Sequence, residues 1–341
     1  METNALHNAL RADRLTGEEL RALPADRLLA RNAAGYTLLH LAAKYGRLAD
    51  LAPATLSPEA LLVKNDAGYT PLHQAAIGGH LGQVPPALLS RPHLLARSHS
   101  GYTVLHVAAA HGHLGQLPAG LLDEELVLTR TDLGSNLLHE AAENGTLDRV
   151  PPRFLTARLL AIANLSGETV LHVAALNGNL GQLPLVLLTP DALLAATNAG
   201  DTVLHAAAIS GHLGDVPTAF LTHDHLVRRS KSGFTVIHAA AETGQLDKIP
   251  PGQLTADLLA TRNDDGDTPL HAAAAAGHIR QIPPSLLTPA LLALRNYSGV
   301  TPLAAAAHAG FLEQLPPNLR PTEPGPVRQA MIKLGLSRPQ F

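Results

Sequence analysis

The sequence predicts an all-α protein: an α-solenoid of stacked 33-residue repeats with hairpin-like turns, the second helix of each repeat split into short helical pieces. Three observations predict it. Glycines stand at 35, 68, 101, 134, 167, 200, 233, 266 and 299, so every step is 33 residues and no insertion interrupts the series. The same columns recur after each of these glycines and end at a second glycine eleven residues on, from Gly46 to Gly310. Prolines then recur in the second half of the repeats, where a continuous helix does not tolerate them. The composition fits, with 46% apolar residues, 3% aromatic residues and no Trp, so the core must be built from Leu, Val, Ile and Ala.

Residues 4–10, NALHNAL, align in phase with the later TLLHLAA, so residues 1–31 read as a truncated capping repeat around His7. Nine full repeats occupy 32–320. The unit from Gly68 shows the logic. Asn65-Asp66-Ala67-Gly68 is turn chemistry, because Asn bonds its own backbone and Gly accepts positive φ. Thr70 is a natural N-cap and Pro71 fits the first helical position, where a missing N–H costs nothing. Leu72, Ala75 and Ala76 fall at helical spacing, and the paired alanines let neighbouring helices approach closely. Gly79 stands where a left-handed residue ends a helix. In the second half, an apolar residue precedes a proline column running from Pro85 to Pro316. A Leu column from Leu56 to Leu287 is followed directly by Ser, Thr or Asp. Thr189-Pro190-Asp191 is then cap, first helical proline and helix start, so the prolines open helical pieces and do not interrupt one. Two pieces of about one turn are expected there. In residues 321–341, Val327, Ala330, Met331 and Leu334 are spaced as one face of a closing helix started by Pro326.

The block G-x-T-x-L-H-x-A-A-x-x-G, carried in phase through residues 32–317, resembles the ankyrin repeat. The resemblance implies a hairpin and a first helix in every repeat. It also implies that Thr37, His40, Thr70, His73, Thr103, His106, His139, Thr169, His172, Thr202, His205, Thr235, His238, Thr268 and His271 are structural. Asn136 replaces Thr once, and Ala304 replaces His in the last repeat. Ankyrin repeats normally carry one longer second helix, so the proline-started second half is an atypical variant.

Several function classes find no support in the residues. Cysteine is absent, so there are no disulfides or thiolate metal sites, and a net charge of −3 gives no global pull towards nucleic acid. The repeating histidines lie one layer apart, too far to share an ion. The close pairs His111/His113 and His223/His225 have no further ligands nearby. No phosphate-binding glycine loop and no HExxH occur, and the Thr–His pairs recur as scaffolding does, so no catalytic residue, cofactor or metal is expected. The basic column Arg31, Lys64, Arg97, Arg130, Arg229, Arg262 and Arg295 lacks interleaved aromatics and reads as a solvated edge. No stretch of about 18 apolar residues calls for a membrane span. The first twenty residues lack the apolar core of a secretory signal. That favours a cytoplasmic chain and leaves secretion by a non-cleaved signal open.

The variable columns carry the functional expectation. The resemblance places contacts at the turn tips and on the exposed side of the first helices, the concave face. The tip column includes Tyr36, Tyr69, Tyr102, Glu168, Asp201, Phe234 and Asp267, and the helices add Lys44, Tyr45, Gln74, Glu140, Glu143 and Glu242. This surface is aromatic at its start and acidic in its middle, which suits another protein presenting an extended or basic segment. The expected function is a non-catalytic protein-binding scaffold. The alternative is self-association into filaments through end-to-end or lateral stacking of equal units.

Overall fold

The first helices begin on a side-chain cap that, where it carries histidine, also reaches the next repeat; the last, with Ala304 in that place, is capped by Thr301 alone. The Thr37 N–H donates to His40 Nδ1 (3.2 Å), the Thr37 hydroxyl lies 2.8 Å from the same nitrogen, and the His40 N–H donates back to Thr37 Oγ1 (3.3 Å). This is a reciprocal capping box with histidine at its third position. Because Nδ1 accepts, the ring proton sits on Nε2, which donates to the carbonyl of Tyr69 in the next turn (3.0 Å). The same bond runs from His73 to Tyr102, from His106 to Ser135 and from His139 to Glu168. It recurs from His205 to Phe234, from His238 to Asp267 and from His271 to Val300.

The structure, a computed structural model, describes residues 2–118 and 120–320; the closing helix expected around Val327, Ala330, Met331 and Leu334 lies outside them. The chain forms two compact units, Met1–Leu188 and Thr189–Phe341. In the first, helix Glu2–Arg11 packs on Leu38–Lys44, followed in order by Pro71–Gly78, Val104–Ala110, Leu137–Glu143 and Val170–Leu176. His7 Nε2 lies 3.0 Å from the Tyr36 carbonyl, so the first helix meets the first turn as each later helix meets the next. In the second unit Val203–Ile209, Val236–Glu242, Pro269–Ala276 and Pro302–Ala309 pack in the same succession. The described residues hold no β-strand, only isolated bridges such as Arg97 with Thr103 beside the turns. Each unit is an α-solenoid.

The alanine pairs are fully buried between neighbouring helices, as at Ala42, Ala43, Ala75 and Ala76. The helices are about two turns long and end on left-handed glycines. Gly79 has φ 75°, and the His80 N–H reaches back to the Ala75 carbonyl (2.8 Å), satisfying a helix-end acceptor. Gly78 has a different reason: a Cβ there would run into the Lys44 backbone carbonyl of the preceding helix.

The outer half of the repeat departs from the expected pair of pieces. It holds three, exemplified by the 3₁₀ turns Leu81–Gln83 and Pro86–Leu88 and the one-turn helix Arg91–Leu94. The additional piece, Leu81–Gln83, forms directly after the left-handed glycine. It stays at one turn because Val84 must be extended (ψ 130°) before Pro85. Pro85 itself is extended and Pro86 opens the next turn, so neither proline lacks a bond it would have made.

Two further columns bind layer to layer. Twelve residues after the turn glycine, side chains of different chemistry donate to a carbonyl in the last turn of the preceding first helix. His113 Nδ1 reaches Ala76, Thr146 Oγ1 reaches Ala109, Asn179 Nδ2 reaches Ala142 and Gln245 Nε2 reaches Ala208, all at 2.6–2.8 Å. Gln116, Gln182 and Gln281 then accept the Leu81, Leu147 and Leu246 N–H groups of the preceding repeat (3.0–3.1 Å).

Burial pushes His40, His73, His106 and His238 down to about 4. The folded state keeps these rings neutral to about pH 4, while the unfolded chain protonates them near 6.5. Between those values the unfolded state binds more protons, so stability must fall as pH drops, by on the order of 3 kcal/mol per ring across the window. Urea unfolding from pH 6.5 to 5 is expected to show a steadily falling midpoint; a flat profile contradicts the neutral ladder. Asn136 offers a second test. Its Oδ1 lies 2.8 Å from His139 Nδ1 but cannot donate to it, and its buried Nδ2 has no partner. Asn136→Thr restores the hydroxyl donor and is expected to raise stability by about 1 kcal/mol in the same measurement.

Candidate functional site

The tips and first helices place the variable residues unevenly. Tyr36, Tyr69 and Tyr102 follow their turn glycines and are half-buried. Their rings stand edge-on to His40, His73 and His106 with centroids 5.1–6.1 Å apart. Phe234 lies 5.5 Å from His238 in the second unit. The tip aromatics therefore cover the capping histidine of their own helix and present their outer edges to solvent.

The helix positions split into two kinds. Gln74 and Glu140 are only 2% and 3% exposed, so they are not on the exposed side where the sequence reading placed them. Their column lies six residues after the turn glycine and faces the neighbouring layer, as the burial of Leu41, Val107, Ala206 and Ala239 shows. Glu143 and Glu242, three residues further on, are exposed; Lys44 is half-buried and Tyr45 is 42% exposed. At the tips, Glu168 accepts from Asn164 Nδ2 (2.8 Å) and Asp267 from Asn296 Nδ2 (2.7 Å); Asp201 is half-buried.

Glu140 is the strongest electrostatic feature of the first unit. Burial, reinforced by the nearby Glu143 carboxylate, raises its pKa to about 7, while the Tyr102 hydroxyl donates to it and opposes the shift. Burial and the same two carboxylates push Tyr102 up to about 12, and burial also raises Tyr69. Tyr69, Tyr102, Glu140 and Glu143 thus form one aromatic and acidic cluster.

In the second unit the corresponding face opens into a cavity of about 390 Å³, walled by Phe234, Glu242 and Asp267 over Ala272, Ala275 and Ala276. The opening exists because alanines stand in columns that hold Gln74, Glu140 and Glu143 in the first unit. The alanine floor is not singled out by the sequence, where the paired alanines read as points of close approach between neighbouring helices.

The basic column does more than form a solvated edge. Arg97 Nη1 donates to the Gly101 carbonyl (2.9 Å) and Nη2 to the Arg130 carbonyl of the next turn (2.7 Å). Arg130, Arg229 and Arg262 make the same reach to residues 163, 262 and 295. The guanidiniums thereby clamp adjacent turns. His111 and His113 stack 6.3 Å apart, with their Nδ1 atoms on the Val107 and Ala76 carbonyls. Among the described residues no group of three His, Cys, Asp or Glu could hold a metal ion, and no helix is long and apolar enough to cross a membrane.

Glu140 yields a direct test. The folded carboxyl titrates near 7 and the unfolded one near 4.5, so the folded state binds the extra proton between them and stability falls as pH rises through that window. Glu140→Gln keeps the contact with Tyr102 and removes the buried charge. It is expected to stabilise the protein at pH 8 by on the order of 2–3 kcal/mol and to change little near pH 4.5. Equal effects at both pH values, read by urea unfolding, contradict the burial of a charge.

Comparison with known families gives matches at two places. A model of ankyrin repeats in three copies matches residues 39–117, and a single ankyrin repeat matches residues 265–284. No curated protein matches the chain.

Proposed function

The chain belongs to the ankyrin-repeat family, whose repeats generally mediate protein–protein interaction, and from that premise we propose a non-catalytic scaffold that grips its partner with the turn tips and exposed first-helix positions. One observation carries this reading. The Thr, His and Ala–Ala columns are interior and nearly uniform, whereas the tip residue and the position three after the buried column change from repeat to repeat. A constant interior frame with a changing rim is what recognition of a specific partner requires.

The favoured partner presents an extended, basic segment. In the first unit the exposed edges of Tyr69 and Tyr102 border Glu140 and Glu143, and no described basic side chain forms an ion pair with either carboxylate. Tyrosine contributes large rigid contact area at low entropic cost, and an unpaired carboxylate beside it favours a cation.

Affinity capture from the source cell followed by mass spectrometry identifies the partner. The test is then the triple change Tyr36→Ala, Tyr69→Ala and Tyr102→Ala. Capture of that partner is expected to be lost, with the helical circular dichroism signal retained. Replacement by Phe keeps the ring contacts with the histidines and separates lost packing from lost contact. Full capture by a folded triple-Ala protein overturns the proposal.

A further inference from the structure

We infer that the cavity of the second unit is a receptor for one arginine side chain presented within a partner's polypeptide segment, a narrowing that rests on the protein-binding reading above. The cavity's walls match the parts of that side chain. Ala272, Ala275 and Ala276 form an apolar floor for its three methylenes. Phe234 lines the same opening, and an aromatic ring attracts a cation. Glu242 and Asp267 supply two carboxylates at the same opening.

Among the described residues no side chain forms an ion pair with those carboxylates. Glu242 is exposed and has no hydrogen bond or ion pair among the described residues; Asp267 has only the Asn296 amide on Oδ1. The arginines that act on the cavity's histidines are committed elsewhere: Arg229 to the Arg262 carbonyl and to Asp264, and Arg262 to the carbonyls of Gly266 and Arg295. His238 and His271, both lining the cavity, have both ring nitrogens engaged. The cavity therefore presents two carboxylates without a cationic partner among the described residues and has room for far more than a counter-ion.

The charge pattern selects among cationic occupants. A guanidinium bonds two carboxylates through separate N–H groups and stacks on an aromatic face, which a compact, strongly hydrated ammonium does less well. Free arginine brings its own α-carboxylate against Glu242 and Asp267, so an arginine inside a chain, with its carboxyl in an amide, fits better. A phosphate-rich ligand meets the same repulsion.

The probe is Nα-acetyl-arginine methylamide, titrated into the full chain with ¹³C-labelled alanine methyls and followed by NMR. Saturable shifts are expected at the methyls of Ala272, Ala275 and Ala276. The citrulline analogue, which has the same shape without the charge, is expected to bind at least about ten-fold more weakly. Glu242→Gln removes a carboxylate that makes no internal contact and is expected to weaken the arginine probe by about the same factor. Ala275→Met fills the opening from an exposed position and is expected to abolish the shifts. No saturable shift at these methyls, equal binding of citrulline, or unchanged binding by Glu242→Gln overturns the inference. The failures are separable: a silent cavity with tyrosine-dependent capture intact removes only this receptor, and arginine binding with tyrosine-independent capture removes the tyrosine face.

Discussion

The histidine that donates from Nε2 to the next turn is the interaction on which the rest depends. One ring performs two tasks that cannot be separated. Its Nδ1 accepts from the threonine N–H that opens its own helix, and that acceptance forces the proton onto Nε2, where it bonds the carbonyl 29 residues ahead. Helix initiation and stacking on the next repeat are thus set by one tautomer. A lysine or glutamine in this column could reach a carbonyl, but neither offers a rigid acceptor and donor on opposite sides of one ring. The arrangement also needs the ring neutral, since an imidazolium would turn its Nδ1 proton against the threonine N–H.

That requirement limits what may surround the ladder. The tip aromatics stand edge-on to the histidines and, with the buried Leu and Ala columns, keep water from the rings. The outer half of the repeat meets a different constraint. It must return the chain to the next turn within 33 residues while filling the space behind the alanine pairs. The prolines impose extended backbone at fixed points, so a single long helix is replaced by two 3₁₀ turns and a one-turn helix. Short pieces satisfy few of their own backbone groups. The glutamine column supplies some of the difference by accepting leucine N–H groups of the preceding layer.

The sequence made the frame legible because the frame uses residues with few substitutes. A positive φ wants glycine, a capping hydroxyl wants threonine and a two-sided ring wants histidine, so those columns stand out. The column of His113, Thr146, Asn179 and Gln245 is harder to read as one column for the opposite reason. Any side chain with a donor of the right length can reach the preceding helix's carbonyl, so the task recurs while the residue does not. The arginine clamps were visible as a basic column, but periodicity cannot tell a side chain in water from one folded back onto a carbonyl. Gln74 and Glu140 were misplaced for a related reason. The family resemblance places them on the exposed side of the first helices, whereas their column, otherwise apolar or small, faces the neighbouring layer.

Glu140 stands where packing alone would choose valine or alanine, as at Val107 and Ala239. Burying a carboxylate beside a second one costs stability at neutral pH, and among the described residues the Tyr102 hydroxyl is what opposes that cost. Gln74 in the same column shows that a neutral polar side chain of equal size fits there. The charge is therefore not needed for the fold. Its cost is offset when a cation arrives from outside, and the gain is larger than at an exposed carboxylate because less water must be displaced and the local dielectric is lower. On the proposed reading of a basic partner, binding relieves such a group, and its penalty discriminates against neutral and acidic segments.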